Sequence, residues 1–526
     1  MSFISVDPFP VQLPLIITVD EDDQLLLNSA DAPWYRNLKF FPDIEFRTVG
    51  ARYYNALYHF NQTRKKPSIK AESCQENKDR ATQRLLFERA TMNEDVPIIY
   101  DNEPEKPVEQ IVSANSISPG ITPDNILGRK PKCFFAMFKS FIGASTMGFA
   151  PEPENVHNLL TSNLSFARVC GFVPKGNVDA YWQKHVPSLR KLEQFDQIMT
   201  EYGLWEEAKW EQVVKNLEAG VIQKENVLVG DTTHYHAHSG FETVTYNNSK
   251  GKENKKSQSK TTKNCRCKEP KNCSHPYQLA DDGAGTITKA HKKFIWGHKA
   301  SILGFPLQGI PLDAVAVNDA ATHDGETLYP HIVRFFNYLP KMQDEIDTLL
   351  YDKAADSVEL KQKFEEDFSI SLKTSLNPRS RKTVTSGLPR GMKKLTAYGN
   401  MICMGDFEMD YQGLRYEAER FIYKAPLDDR QTSVCLNCKN KAKCCPLSKK
   451  GRIVNISFDK LPHINPADPP MAKRFRAMMT RRPSVERMIK RLKCDLSDDR
   501  LKKRGNAAFQ AYLDKTMIAF HMLLRS

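Results

Sequence analysis

Three carboxylates stand where their types and spacing could do chemistry. Asp231 closes the β-branched run ENVLVGD, Asp352 closes the apolar run EIDTLLYD, and Glu486 lies among arginines and lysines in RRPSVERMIKRLK. An acid that ends a buried strand is exposed at the rim of the sheet while the apolar residues before it stay covered. Three such groups brought together could hold two divalent cations about 3.5–4 Å apart, as two-metal phosphoryl transfer requires. Mg²⁺ suits an all-oxygen set because it is a hard cation that keeps several waters, and Mn²⁺ could substitute. Arg482, Lys490 and Lys493 would then grip the phosphodiester. On one continuous helix, Arg482 and Glu486 are four apart, Lys490 is four further on and Lys493 seven, so all share a face. Each acid also has a plain structural use: Asp231 as a strand end, Asp352 as a turn residue, Glu486 as a favourable first-turn acid.

Two further clusters could bind a metal. NCRCKEPKNCSH supplies Cys265, Cys267, Cys273 and His275, and VCLNCKNKAKCCP supplies Cys435, Cys438, Cys444 and Cys445. A structural Zn²⁺ wants four soft ligands in a tetrahedron, and each cluster offers four within a dozen residues. Reduced, unligated thiols on loops are the alternative. His234, His236 and His238 alternate after Asp231, so on a strand they face away from it and are expected to be structural.

The elements that must position these groups can be read from the pattern. Strands ending at Asp231 and Asp352, a strand in LDAVAVNDA, a helix from Asp324, and a helix DSVELKQKFEEDF leading into SISLKTSLNP alternate, which predicts a mixed α/β sheet flanked by helices. GFETVTYNN reads as the hairpin partner of the first strand. The stretch from Asn247 to Asn264 is polar and basic, and is expected to be a flexible loop, with contact to a DNA backbone as the sharper option. The expected organisation is a small module over 1–92, a Pro- and acid-rich linker over 93–125, a helical and DNA-binding segment over 126–225, a catalytic domain over 226–380, a cysteine-bearing insertion over 381–470, and two closing helices over 471–526.

Composition limits the partners. The chain has 526 residues, 40% hydrophobic and 26% charged, with a net charge of +13. From Met471 to Ser526 there are 15 lysines and arginines against 5 acids, so most of the excess sits on the helix of Glu486 and its sequel. A polyanion such as double-stranded DNA is the matching partner, because cationic contacts to phosphate release counterions. The apolar runs fall short of the roughly 18 residues that a membrane span needs. The amino terminus lacks the basic start of a secretory signal, so a cytoplasmic, nucleoid-associated chain is expected.

Four stretches together resemble the DDE transposases of bacterial insertion sequences. LVGDTTHYHA is similar to that family's strand with Asp followed by Thr and His, NDAATHDGETLYPHI to its His-Asp stretch at His323 and Asp324, and LLYDKAADS to its second Asp motif. RRPSVERMIKRLK is similar to its Tyr-x2-Arg-x3-Glu-x6-Lys signature at Arg482, Glu486 and Lys493, with Met479 in the tyrosine place. The resemblance implies an RNase H-like catalytic fold. It also implies Asp231, Asp352 and Glu486 as ligands of two Mg²⁺ ions, with Arg482 and Lys493 on the phosphates of the transposon end. Strand cleavage and transfer by a homodimer assembled on transposon ends and target DNA would follow. The second cysteine cluster is similar to a Cys-x2-Cys…Cys element in the insertion region of related transposases. A catalytically silent DNA-binding descendant and a metal-dependent nuclease of the same fold are the competing readings.

Overall fold

In a computed structural model of the chain, the described residues are 33–39, 41, 43–65, 132–173, 181–247, 253–262, 278–290, 293–377, 383–429, 431–448 and 450–525. The linker over 93–125 and the first cysteine cluster, Cys265, Cys267, Cys273 and His275, lie outside them. The chain divides into two units, Met1–Gln212 with Met522–Ser526, and Val213–His521.

The first unit is helical: α1 (Pro33–Lys39), α2 (Arg47–Lys65), α3 (Phe134–Thr146), α4 (Pro153–Ser162), α5 (Leu164–Val169), α6 (Leu189–Glu201) and most of α7 (Leu204–Glu218). Its core is aromatic. Phe134, Phe138, Phe141 and Phe195 gather around Trp205, whose indole N–H donates to the buried Asp196 carboxylate at 2.9 Å. A buried carboxylate with such a partner avoids the penalty of an unsatisfied polar group.

The second unit is built on a mixed sheet. Its strands are β1 (Val227–His236), β6 (Gly285–Ala290), β7 (Lys293–Phe305), β8 (Ile310–Ala316), β9 (Thr348–Tyr351) and β10 (Ser371–Thr374), in the order β10-β9-β1-β7-β6, with β8 also on β7. β10, β9 and β1 run parallel, whereas β1, β7 and β8 are antiparallel neighbours. Short two-stranded sheets sit beside it: β2 (Phe241–Asn247) with β3 (Glu253–Ser259), and β4 (Thr261–Thr262) with β5 (Gln278–Leu279). Helices α8 (Asp324–Tyr338) and α9 (Val358–Phe368) follow β8 and the β9 turn.

Residues 384–471 fold around their own core of Met392, Leu395, Met401, Phe421, Tyr423, Val454 and Ile456. They form β11 (Met392–Leu395) with β12 (Met401–Cys403), then β13 (Asp410–Arg415), β14 (Arg420–Lys424) and β15 (Ile453–Ser457), with a short α10 (Lys441–Cys444). The chain then returns to the main sheet through α11 (Lys473–Met479), α12 (Ser484–Lys490) and, after a π-helical turn over Arg491–Asp495, α13 (Asn506–Leu523).

Two expectations are corrected. GFETVTYNN is the hairpin partner of β3, not of β1; the antiparallel partner of β1 is the long β7. Part of the stretch expected to be a loop is β3 itself. Its polar residues have little strand propensity of their own, and backbone pairing with β2 supplies the structure.

Candidate functional site

The register of the sheet sets the first two carboxylates side by side. Val227, Leu228 and Val229 of β1 pair with Thr348, Leu349 and Leu350 of β9. Two residues further along each strand come Asp231 and Asp352, on neighbouring chains that run about 4.8 Å apart. Because side chains alternate, Val227, Val229 and Asp231 share one face, as do Leu350 and Asp352. That face is covered by α12, whose fully buried Val485 and Met488 pack on Val227, Val229 and Leu350. The apolar row ends where the aspartates begin, so the acids emerge at the end of the packed seam. Gly304 of β7 makes the approach of α12 possible, since a Cβ there would stand 2.6 Å from Met488 Sδ.

Asp352 caps the short turn Lys353–Ala355, its Oδ1 accepting from Ala354 N at 2.8 Å. Asp231 Oδ1 accepts from Thr232 N at 2.8 Å. Burial pushes the Asp231 carboxyl up to about 6; Asp352 and Asp324 add to the rise, and Arg482 opposes it. That Asp324 acts on it identifies a third acid at the same end of the sheet. Asp324 opens α8 behind its cap His323, and Lys299 of β7, almost fully buried, holds it by an ion pair of 2.9 Å. In the sequence Asp324 stands out as a helix start and as part of a motif, but not as a site acid, and Lys299 does not stand out at all, because it lies in a strand whose polar residues hide the pattern.

Glu486 reaches the site through Arg482. The guanidinium donates to Asp231 Oδ2 at 2.6 Å and stands 3.5 Å from Glu486 Oε1, while Glu486 itself is mostly exposed. Among the described residues, the buried Arg482 Nε has no hydrogen-bond partner. A charge-assisted hydrogen bond of this kind contributes roughly 1.5–3 kcal/mol. Among the described residues, no group of three or more His, Cys, Asp and Glu side chains is arranged to hold a metal ion. The donor set nonetheless suits a hard cation: Asp231, Asp324 and Asp352 repel one another, and a divalent ion would relieve that repulsion.

The shared helical face expected for Arg482, Glu486 and Lys493 is not continuous. Arg482 precedes the first residue of α12, and the π turn intervenes before Lys493. Lys493 donates to His234 O at 2.5 Å, lies 3.7 Å from Asp499 and sits over the Tyr235 ring. Lys490 is exposed on α12. His234 and His236 fall on the opposite face of β1 from Asp231, and His236 Nε2 lies 3.9 Å from Asp499.

In the second cysteine cluster none of the four thiols is in a disulfide. Cys445 is in hydrogen-bonding contact with Cys435 and Cys444; burial, followed by these two neighbours, raises it to about 11. Cys438 Sγ accepts from Asn440 N at 3.4 Å.

No helix among the described residues is long and apolar enough to cross a membrane. No protein-family model matches the chain, and none of the curated proteins matches it. Among solved structures, it is similar to one described as "Cryo-EM structure of piggyBac transposase synaptic complex with hairpin DNA (SNHP)", with a TM-score of 0.30 and 10% sequence identity. The match covers 74% of this chain and 65% of that one, so this chain spans less than two thirds of its length, and at that TM-score the likeness bears no weight on fold or chemistry.

Proposed function

We propose that the chain is a DNA transposase of the DDE type, cleaving and joining strands at the ends of an insertion sequence. The observation that carries this reading is the placement of Asp231 in β1 and Asp352 just past the end of β9, two strands paired in parallel, with Arg482, in the turn before α12, bonded to the first of them. The mixed sheet supports an RNase H-like catalytic domain, and the four sequence motifs, in order along the chain, support the family.

Asp231, Asp352 and Glu486 would hold the metal ions, with Asp324 beside them. Two Mg²⁺ ions bound there would activate the attacking oxygen and stabilise the leaving one. Without metal or DNA, Arg482 offsets the charge of Asp231. On a DNA end it exchanges that carboxylate for a phosphate, with Lys490 and Lys493 adding cationic contacts on the same side of the sheet. The helical first unit is the proposed DNA-reading part. A homodimer on DNA is proposed because cutting and joining paired ends needs two sites. The cysteine clusters are proposed structural Zn²⁺ sites, and metal analysis giving fewer than about one zinc per chain would exclude two such sites.

One observation favours a second reading, a silent DNA-binding descendant: a guanidinium stands between Asp231 and Glu486 where cations would have to go. Incubating the purified chain with Mg²⁺ and duplexes carrying the inverted repeats that flank its reading frame separates the possibilities. Cleaved and strand-transferred products are expected, and Glu486→Gln should slow them by more than roughly a hundredfold, the scale for removing one charge-stabilising group. Equal cleavage by Glu486→Gln would refute the metal assignment. Binding without cleavage would identify the silent form, and hydrolysis without joining the nuclease.

A further inference from the structure

Three acids stand at one end of the sheet, and the two cations that touch them approach from opposite faces. Arg482 meets Asp231 from the turn before α12, on the face of β1 that α12 covers. Lys299 comes from the other side. Asp231 lies directly opposite Ile302 of β7 and His234 opposite Lys299, so Lys299 shares the face of His234, away from Asp231. On that face the sheet is covered by α8, whose His331 Nδ1 lies 2.8 Å from Ser301 Oγ of β7.

The hold on Asp324 is firm. Lys299 Nζ donates to Asp324 Oδ1 at 2.9 Å and to Thr322 O at 2.5 Å, so one ammonium ties down both the acid and the backbone leading into α8. The backbone oxygen of Asp324 accepts from Thr327 Oγ1 at 2.8 Å and from Tyr351 Oη at 3.4 Å. Gly325 lets this start of α8 settle on the turn that Asp352 caps, since a Cβ there would stand 2.9 Å from Ala354 O. The Lys299 side chain is 6% exposed, against 22% for Arg482. A buried ammonium stripped of its carboxylate is costly, so Lys299 stays on Asp324 whatever arrives at the rim. Arg482, with more of its side chain in water, can leave.

We infer that Lys299 is a positioning residue that keeps Asp324 out of the cation ligands and so confines the ions to Asp231, Asp352 and Glu486. The inference rests on the metal reading above and deepens it by fixing which acids take part. An acid whose charge is cancelled by a permanent partner attracts a hard cation weakly, whereas one whose partner can be exchanged attracts it fully. Asp324 then shapes the rim without binding. Its side chain is 31% exposed, so removing the lysine sets free a further oxygen donor at the same place.

The test uses the full chain and Mn²⁺ alone, with free Mn²⁺ read by electron paramagnetic resonance as the metal is added. Lys299→Met should tighten binding on the order of tenfold, because a unit charge a few ångströms from the site disappears and Asp324 becomes a ligand. Lys299→Met/Asp324→Asn exchanges one neutral pair for another and should bind as the unmodified chain does, within about a factor of two. A lysine with a merely structural role would not give this contrast. Loss of affinity in the double variant on the scale of Asp231→Asn would make Asp324 a ligand and overturn the inference. Unchanged or weaker binding by Lys299→Met, with its circular dichroism intact, would overturn it too, and would leave the metal reading standing where Asp231→Asn abolishes binding. If Lys299→Met does not fold, the double variant, which buries no lone charge, still decides whether Asp324 is a ligand. Should Asp231→Asn leave Mn²⁺ affinity unchanged, the metal reading fails and this inference with it.

Discussion

At the scale of single residues, the site is governed by negative charge held out of water. Asp231 carries most of that strain: burial raises its carboxyl from the usual value near 4 to about 6, even with Arg482 in contact. The sign of the pH effect follows. Between about pH 4 and 6 the unfolded chain has lost this proton while the folded chain keeps it, so this contribution to stability is present at low pH and is lost as pH rises through 6. Two units correspond to on the order of 3 kcal/mol. With a chelator present, the unfolding free energy of the native chain minus that of Asp231→Asn should therefore fall by that order between pH 4 and 7; a difference independent of pH would remove the assigned cause. The aspartates were legible in the sequence because each ends an apolar run. Lys299 was not, because a lysine buried to hold Asp324 looks in one dimension like any surface lysine.

The element that matters most is α12. Its seam of Val485 and Met488 on β1 and β9 places Arg482 over Asp231, so packing and site geometry are one problem. Met488→Ala should cost about 2–5 kcal/mol, the usual range for emptying a core position. Gly304→Ala should do something different: its Cβ would press on both Met488 Sδ and Ile310 O, pushing α12 off the sheet. Circular dichroism should then show the secondary structure retained, while cleavage falls with Glu486 displaced. Full activity in Gly304→Ala would show that the position of α12 is not critical. The helix itself was readable from its apolar spacing, but the π turn was not. RLKCD continues the same basic pattern, and only contacts such as those of Lys493 with His234 and Asp499 reveal that the register has shifted. Likewise β7 escaped notice, since its thirteen residues bury His298, Lys299 and Ser301 among apolar ones and so lack clean alternation.

For the molecule as a whole, sequence conveyed the class of fold better than the pairings. Alternating strands and helices announce a mixed sheet, because that pattern is summed over many residues. Which strand lies beside which depends on contacts far apart in the chain, as when β2 turns from β1 to β3. The central claim is equally long-range: acids at 231, 352 and 486 share cations once Arg482 lets go of the first. Crystals soaked in Mn²⁺ and measured at its absorption edge test this directly. The account predicts anomalous density bonded to Asp231, Asp352 and Glu486, with the Arg482–Asp231 hydrogen bond broken. Saturating Mn²⁺ that leaves these carboxylates bare and that bond in place would contradict it.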